Sequence, residues 1–218
     1  MTDIIKEFIV EVFGDNVWLG ILLVAMIPLI ELRGAIPFAM GSAWGVHKLN
    51  WIQAYSSSVI GATIPALFII PLLIPVFNFL RKTKLFKKLV DALDSKFSKK
   101  SEKLKNEVQN AETLRKAEVK KFWGTVAFVA IPLPLTGAWT GSAVAAYVKT
   151  GFWKGVLAIF LGNIISGAIM TALCVLFPVA VDMILNVFLI LVLVLIIFSV
   201  VVMLFKKRKP QVENTEIK

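Results

Sequence analysis

The stretch that decides the fold is Glu31-Leu32-Arg33-Gly34-Ala35-Ile36-Pro37, because it places an acid and a base inside otherwise apolar sequence. Charged side chains inside a membrane are costly and are usually functional. The apolar runs at 17–30 and 35–46 flank this stretch, and each would rise about 20 Å as a helix against about 30 Å of hydrocarbon. Neither run spans a bilayer alone, so the pattern predicts a re-entrant hairpin with the charged heptapeptide at its tip.

The composition indicates an integral membrane protein. Of 218 residues 58% are hydrophobic and the mean hydropathy is +0.81, which is too apolar for a soluble domain of this size. The single cysteine, Cys174, excludes an internal disulfide and a cysteine-cluster metal site. The sequence shows no nucleotide-binding loop, metal-ligand cluster or nucleophile with a base partner, so we expect neither an enzyme nor a cofactor or metal.

The positive charge is placed as in cytoplasmic loops rather than as in a nucleic-acid-binding surface. Residues 81–121 contain fourteen Lys or Arg against six Asp or Glu, and four basic residues at 206–209 directly follow the last apolar run. Both clusters flank membrane segments, as the positive-inside rule describes. We therefore predict a multi-pass plasma-membrane protein with 81–121 and the C-terminus in the cytoplasm. The basic region 81–121 would bind anionic lipid, and no nucleic acid is expected as a partner.

The apolar and polar runs divide the chain into six expected segments. They are an N-terminal outer amphipathic segment (1–16), a first repeat (17–80, with a re-entrant hairpin at 17–46 and a crossing at 51–80), a basic cytoplasmic helical region (81–121), a second repeat (122–178, with a hairpin at 122–148 and a crossing at 152–177), a C-terminal crossing (183–205) and a cytoplasmic tail (206–218).

The two halves match each other in sequence. The matching pieces, taken in order, are Ile27-Pro28-Leu29 with Ile131-Pro132-Leu133, Gly34-Ala35 with Gly137-Ala138, and Ile60-Gly61-Ala62 with Leu161-Gly162-Asn163. With 81–121 in the cytoplasm, the first hairpin enters from outside and the second from inside. The fold class expected is an all-α integral membrane protein of two inverted repeats, each a re-entrant hairpin plus a transmembrane helix, with a C-terminal transmembrane helix and a cytoplasmic or interfacial helical insertion.

The hairpin breaks are the candidate binding site. The returning half-helices would begin near Gly34–Pro37 and Thr136–Thr140, and each would present unpaired N–H groups and the positive end of its dipole. Pro37 would suit an opening helical turn. With the Arg33 guanidinium these groups would cradle a phosphate or carboxylate. The candidate substrate-binding residues are Arg33, Gly34, Thr136, Gly137, Thr140 and Asn163, of which Asn163 either faces the cavity or bonds between helices.

The role of Glu31 stays open on sequence alone. Burial favours the protonated acid, and Glu31 would then carry a proton for coupled transport. The neighbouring Arg33 favours the carboxylate, and Glu31 would then neutralise and orient Arg33. A third interpretation is that Glu31 and Arg33 form an ion pair that stabilises the hairpin without contacting substrate.

Two motifs carry a family resemblance. The heptapeptide at 31–37, together with Pro132-Leu133-Pro134-Leu135-Thr136-Gly137-Ala138-Trp139-Thr140-Gly141, resembles the bacterial and archaeal family named putative small multidrug export proteins. The resemblance covers roughly residues 17–178 and implies export. More distantly, the inverted hairpins are similar to the DedA/VTT superfamily, whose members include polyprenyl-phosphate carriers and lipid scramblases. The second hairpin of that superfamily typically carries an arginine near its Pro-Gly break, whereas residues 136–141 of this chain carry no charge.

These observations leave three functional hypotheses. The first is a secondary transporter, proton-coupled through Glu31, which moves an amphipathic anion such as a polyprenyl or other lipid phosphate. The second is proton-coupled export of cationic drugs, which Arg33 disfavours. The third is a membrane scaffold that transports nothing. The motifs Gly41-x-x-x-Gly45 and Gly137-x-x-x-Gly141 allow close helix approach, either within one molecule or between the copies of a homodimer.

Overall fold

The computed structural model describes residues 2–14, 16–42, 44, 48–80, 111–133 and 135–181, and ten further positions between 183 and 201. Within these residues every regular element is helical. The helices are α1 (Thr2–Phe13), α2 (Val17–Met26), α3 (Glu31–Met40), α4 (Trp51–Leu80), α5 (Ala111–Ala130), α6 (Ala138–Tyr147) and α7 (Phe152–Leu176), followed by a 3-10 turn at Pro178–Ala180.

Two of the described helices, α4 and α7, are long and apolar enough to cross a membrane. Their apolar stretches are Trp51–Phe79 and Phe152–Leu176, so the helices predicted at 51–80 and 152–177 are confirmed. The outward face of α4 carries exposed large apolar side chains such as Phe68 and Leu72. A continuous apolar surface of this kind suits contact with lipid.

The first break lies earlier than the sequence suggested. Helix α3 begins at Glu31 rather than near Gly34–Pro37, so the expectation that Pro37 lies in an opening turn is wrong: Pro37 is inside the helix. The chain reverses upstream because Leu29 adopts a left-handed φ of 73°. Such a conformation costs roughly 1–2 kcal/mol for a residue other than glycine, and the surrounding packing must hold it in place.

The second break follows the same design. Leu135 adopts a left-handed φ of 71°, and α6 begins at Ala138 with Gly137 as its N-cap. This start lies within the predicted 136–140. The two short returning helices α3 and α6 are each 10 residues long, and so is the entering helix α2. At about 15 Å each, none of them spans a bilayer. That these segments re-enter the membrane stays a prediction.

Helix α5 runs through a predicted boundary. The sequence predicts a boundary between a polar region ending at 121 and an apolar run starting at 122, whereas the structure has one continuous helix from Ala111 to Ala130. The predicted basic region before residue 111 lies outside the described residues, as do the tail 206–218, Gly45 and much of the crossing at 183–205. The ten described positions of that crossing are helical.

Each short returning helix packs against the long helix of the other half. Helix α3 contacts α7 as well as α4, and α6 contacts α4 as well as α7. All ten residues of α3 are buried. The sequence-distant halves are therefore interleaved rather than side by side, and hydrogen bonds join the two breaks.

The long helices cross the entering helices through glycines at matching positions. A Cβ at Gly61 would overlap the carbonyl oxygen of Leu22 on α2, and a Cβ at Gly162 would overlap Val129 and approach the carbonyl oxygen of Val126 on α5. Gly61 and Gly162 are the residues that the sequence comparison of the two halves aligned. The equivalence supports a repeat, whose inversion across the membrane stays a prediction.

The polar end of α5 is tied to the start of α7. Lys154 donates a hydrogen bond to Glu118, and both side chains are largely exposed. This hydrogen bond and the ammonium charge lower the pKa of the Glu118 carboxyl. Trp123 and Trp153 are also exposed, and tryptophans beside lysines are typical of a membrane–water boundary.

The glycine crossing gives a matched pair of substitutions. Gly61→Ala should destabilise the protein by about 1–3 kcal/mol, because the added methyl group meets the backbone of α2. Gly124→Ala should be neutral or should stabilise by up to about 1 kcal/mol, because a Cβ at Gly124 meets no described atom within 4 Å. Thermal unfolding in detergent checks both variants. Equal melting temperatures for the two variants would contradict the proposed close crossing.

Candidate functional site

Arg33 joins the first break to the second. Its Nη1 donates to Glu31 Oε2 at 2.7 Å, and its Nη2 lies within 3.0 Å of the carbonyl oxygens of Val129 and Ile131 and 3.1 Å from Thr136 Oγ1. The side chain is 2% exposed. The carbonyls at the end of a helix lack intrahelical partners, so Arg33 also caps the carboxyl end of α5.

Glu31 occupies the amino end of α6. Its Oε1 accepts a hydrogen bond from the backbone N–H of Trp139 at 3.1 Å, and the backbone of Ala138 is a further hydrogen-bond partner. The N–H groups and dipole at a helix amino end favour an anion. The structure thus fills the anion site expected at this helix end with a carboxylate of the protein itself.

Gly137 makes room for that carboxylate. A Cβ built at Gly137 would occupy the space of the Glu31 carboxylate oxygens. Its φ of −85° is available to any residue. Glycine is therefore needed at this position for space rather than for backbone conformation.

Trp139 caps the end of a helix in the first half of the chain, as Arg33 caps the end of a helix in the second half. Its indole Nε1 donates to the carbonyl oxygen of Met26 at 3.1 Å, where α2 ends. Arg33, near the start of α3, thus caps the end of α5, while Trp139, near the start of α6, caps the end of α2. The two breaks exchange hydrogen bonds reciprocally, and the contact holds both entering helices.

Trp139 is a site residue that the sequence analysis missed. The available signal was its spacing: Trp139 follows Gly137 by two residues, as Arg33 follows Glu31 by two. The matching left-handed residues Leu29 and Leu135 precede these pairs by two residues in both halves. Aligning the halves on this spacing pairs Glu31 with Gly137 and Arg33 with Trp139, so the sequence match of Gly34 with Gly137 was out of register by three residues.

The hydroxyl groups of Thr136 and Thr140, both predicted site residues, form hydrogen bonds within the second break. Thr136 Oγ1 accepts from Arg33 and lies 2.7 Å from the carbonyl oxygen of Ile131, to which it donates. Thr140 donates to the carbonyl oxygen of Leu135 at 2.5 Å. Gly34 lies buried in the first turn of α3. The structure therefore brings Glu31, Arg33, Thr136 and Gly137 together, with Gly34 and Thr140 beside them.

Asn163 belongs to a different contact. Its Nδ2 donates to Thr63 Oγ1 at 3.0 Å, which joins α7 to α4, and its Oδ1 finds no donor among the described residues. This geometry corresponds to the helix-to-helix bonding that was one of its two sequence interpretations. A role for Asn163 in substrate binding stays a prediction.

The geometry describes a closed, charge-balanced site. With Glu31 ionised, the carboxylate has Arg33 and the amino end of α6 as partners. If Glu31 took up a proton, the guanidinium and the helix end would lose their anion, and a buried uncompensated charge is strongly unfavourable. A second anion would then have a reason to bind there. In the part of the chain that the structure describes, no group of three or more His, Cys, Asp or Glu could hold a metal ion.

Comparison with known protein families identifies a family for this chain. A family model described as "Putative small multi-drug export protein" matches residues 31–169, from the charged break to the carboxyl-terminal third of α7. Searches of curated proteins and of solved structures give no match for the chain.

The close approach of Glu31 to Gly137 predicts strong coupling between the two positions. Gly137→Ala should destabilise the protein by several kcal/mol, about the cost of overpacking plus the disturbance of a buried ion pair. The same substitution should cost much less in a Glu31→Ala background, because the carboxylate that clashes is gone. A double-mutant cycle from thermal unfolding measures the coupling, which should exceed about 1 kcal/mol. Additive effects would contradict the contact.

Proposed function

The chain belongs to the family of putative small multi-drug export proteins, and from that premise we propose that it is a secondary transporter that moves an amphipathic anion across the plasma membrane together with a proton. The family match and the two long apolar helices indicate a membrane protein. The proposed substrate is a molecule such as a polyprenyl or other lipid phosphate. One observation carries the proposal: the Glu31 carboxylate rests in an anion site made by Arg33 and the amino end of α6.

In this mechanism the Glu31 carboxylate occupies the site that the substrate headgroup would bind. Protonation of Glu31 would release Arg33 Nη1 and the Trp139 N–H, which are the donors that a phosphate or carboxylate needs. The substrate anion would bind these donors and restore the charge balance around the buried guanidinium. Because substrate binding requires the neutral acid, the proton and the anion would travel together.

The helix lengths support a site near the middle of the bilayer. Helix α2 is 10 residues long, or about 15 Å, and residues 122–130 of α5 rise about 13 Å from Trp123 to the second break. Entering from opposite faces, the two segments would together cover about 30 Å of hydrocarbon and meet at their tips. In inverted-repeat transporters such a meeting point holds the substrate.

The proposed topology has a labelling test. On a Cys174→Ser background, Asn16→Cys and Lys48→Cys should react with a membrane-impermeant maleimide from one side, because a hairpin returns to the face it entered. Lys121→Cys should react only from the other side. All three positions are exposed. If Asn16→Cys and Lys48→Cys react from opposite sides, residues 17–46 cross the membrane and the first hairpin is wrong.

The proposed substrate class has a binding test. Purified protein in detergent should bind polyprenyl phosphate, and Glu31→Gln, which mimics the protonated acid, should bind it at least as tightly and independently of pH. Arg33→Ala should weaken binding by about 10- to 100-fold, because a charge-assisted contact is lost. Lys154→Gln removes a cation that is exposed and distant in sequence from the breaks, and should leave the affinity unchanged.

Two controls keep this result interpretable. Arg33→Lys retains the charge, and comparing melting temperatures separates loss of binding from loss of fold.

The alternative function, proton-coupled export of cationic drugs, is favoured by the multi-drug description of the family and by the carboxylate at the break. It would be supported by binding of tetraphenylphosphonium that survives Arg33→Ala and disappears in Glu31→Gln. Failure to bind either class of ligand would favour the scaffold.

A further inference from the structure

A cavity lies beside Arg33. Its volume is about 410 Å³, within the size range of small-molecule sites. Apart from Arg33, the described lining is apolar and comes from three parts of the chain: Pro132 in the second break, Met170 and Leu173 on α7, and Met183, Val187 and Leu191 in the C-terminal segment.

The Nε of the Arg33 guanidinium lacks an acceptor among the described residues. Each terminal nitrogen donates to at least one described acceptor, whereas the buried Nε donates to none. An unmatched N–H on a buried guanidinium is costly. A cavity lined by this guanidinium residue and otherwise by apolar side chains matches a ligand with an anionic head and a hydrocarbon body.

We propose that this cavity binds the hydrocarbon body of the amphipathic anion, next to the headgroup at Arg33. The inference rests on the proposed function and adds a place for the apolar part of the substrate. Met183, Val187 and Leu191 recur every four residues, so they share one face of the C-terminal helix. That helix thereby becomes one wall of the binding site. Met183 and Val187 are also largely exposed, so a long chain can continue from the cavity into the bilayer.

A second cavity provides a reference. It has a similar volume of about 420 Å³ and lies between the start of α4 and the end of α7, where Trp51, Tyr55 and Ala172 line it. Its described lining contains no charged side chain. An amphipathic anion would therefore select the cavity beside Arg33, while an ordinary lipid chain would not distinguish the two.

Neighbouring residues of α7 line the two cavities, which gives a matched pair of variants. Leu173→Trp fills the cavity beside Arg33, and Ala172→Trp fills the reference cavity. The probes are farnesyl phosphate, which has a long apolar body, and butyl phosphate, which has nearly the same headgroup with little body. Binding to the full-length protein in detergent is measured for both probes.

Leu173→Trp should weaken farnesyl phosphate binding by about tenfold or more, since losing two buried methylene contacts already has about that effect. Butyl phosphate binding should stay unchanged, and Ala172→Trp should affect neither probe. Val187→Trp fills the cavity from its other wall and should repeat the result, while Leu193→Trp, which lies about 120° from Val187 around a helix and does not line the cavity, should not. This second pair guards against misfolding of one variant.

The failures can be told apart. If wild-type protein binds neither phosphate, the proposed function and the cavity assignment both fall. If wild-type binding depends on Arg33 but Leu173→Trp and Ala172→Trp bind farnesyl phosphate equally well, the cavity assignment alone is overturned. Equal loss of both probes in a variant that keeps its melting temperature would place the body of the ligand elsewhere.

Discussion

The structure depends on how the Arg33 guanidinium is satisfied while almost fully buried. A buried charge is tolerated only with a paired opposite charge and with further hydrogen bonds for its remaining protons. Glu31 provides the charge, and the carbonyl oxygens of Val129 and Ile131 and the Thr136 hydroxyl provide acceptors. Since Glu31 and Arg33 belong to the first half and the other acceptors to the second, satisfying this guanidinium requires that the two breaks lie together.

The same contact links architecture to the proposed transport. Arg33 caps α5 and Trp139 caps α2, so each half holds the end of the other half's entering helix. Any motion that exposes the site must loosen these reciprocal bonds. In the proposed mechanism protonation of Glu31 would be the trigger, because losing the carboxylate would leave Arg33 and the amino end of α6 without an anion. The substrate anion would then bind at Arg33 and the amino end of α6 without having to compete with the Glu31 carboxylate.

Much of the helical framework could be predicted because it follows from local pattern. The long apolar helices at 51–80 and 152–177 and the start of α6 near Gly137 were found from hydropathy and from breakers. The predicted start of α3 was wrong because Pro37 is a residue typical of an opening helical turn. The chain turns instead at Leu29, and a leucine in the sequence does not indicate a left-handed conformation. Trp139 was missed because a tryptophan in an apolar chain has several ordinary roles.

By itself, the sequence determined that an acid and a base lie two residues apart in apolar surroundings, and that such charges need partners. It also determined the two long apolar helices, since their lengths follow from hydropathy along the chain. Only the tertiary structure decided which groups became the partners. Val129 and Ile131 lie 96 and 98 residues from Arg33, and backbone carbonyls leave no mark in a sequence. The need for glycine at position 137 likewise exists only because Glu31, from the other half of the chain, occupies the space that a side chain would fill.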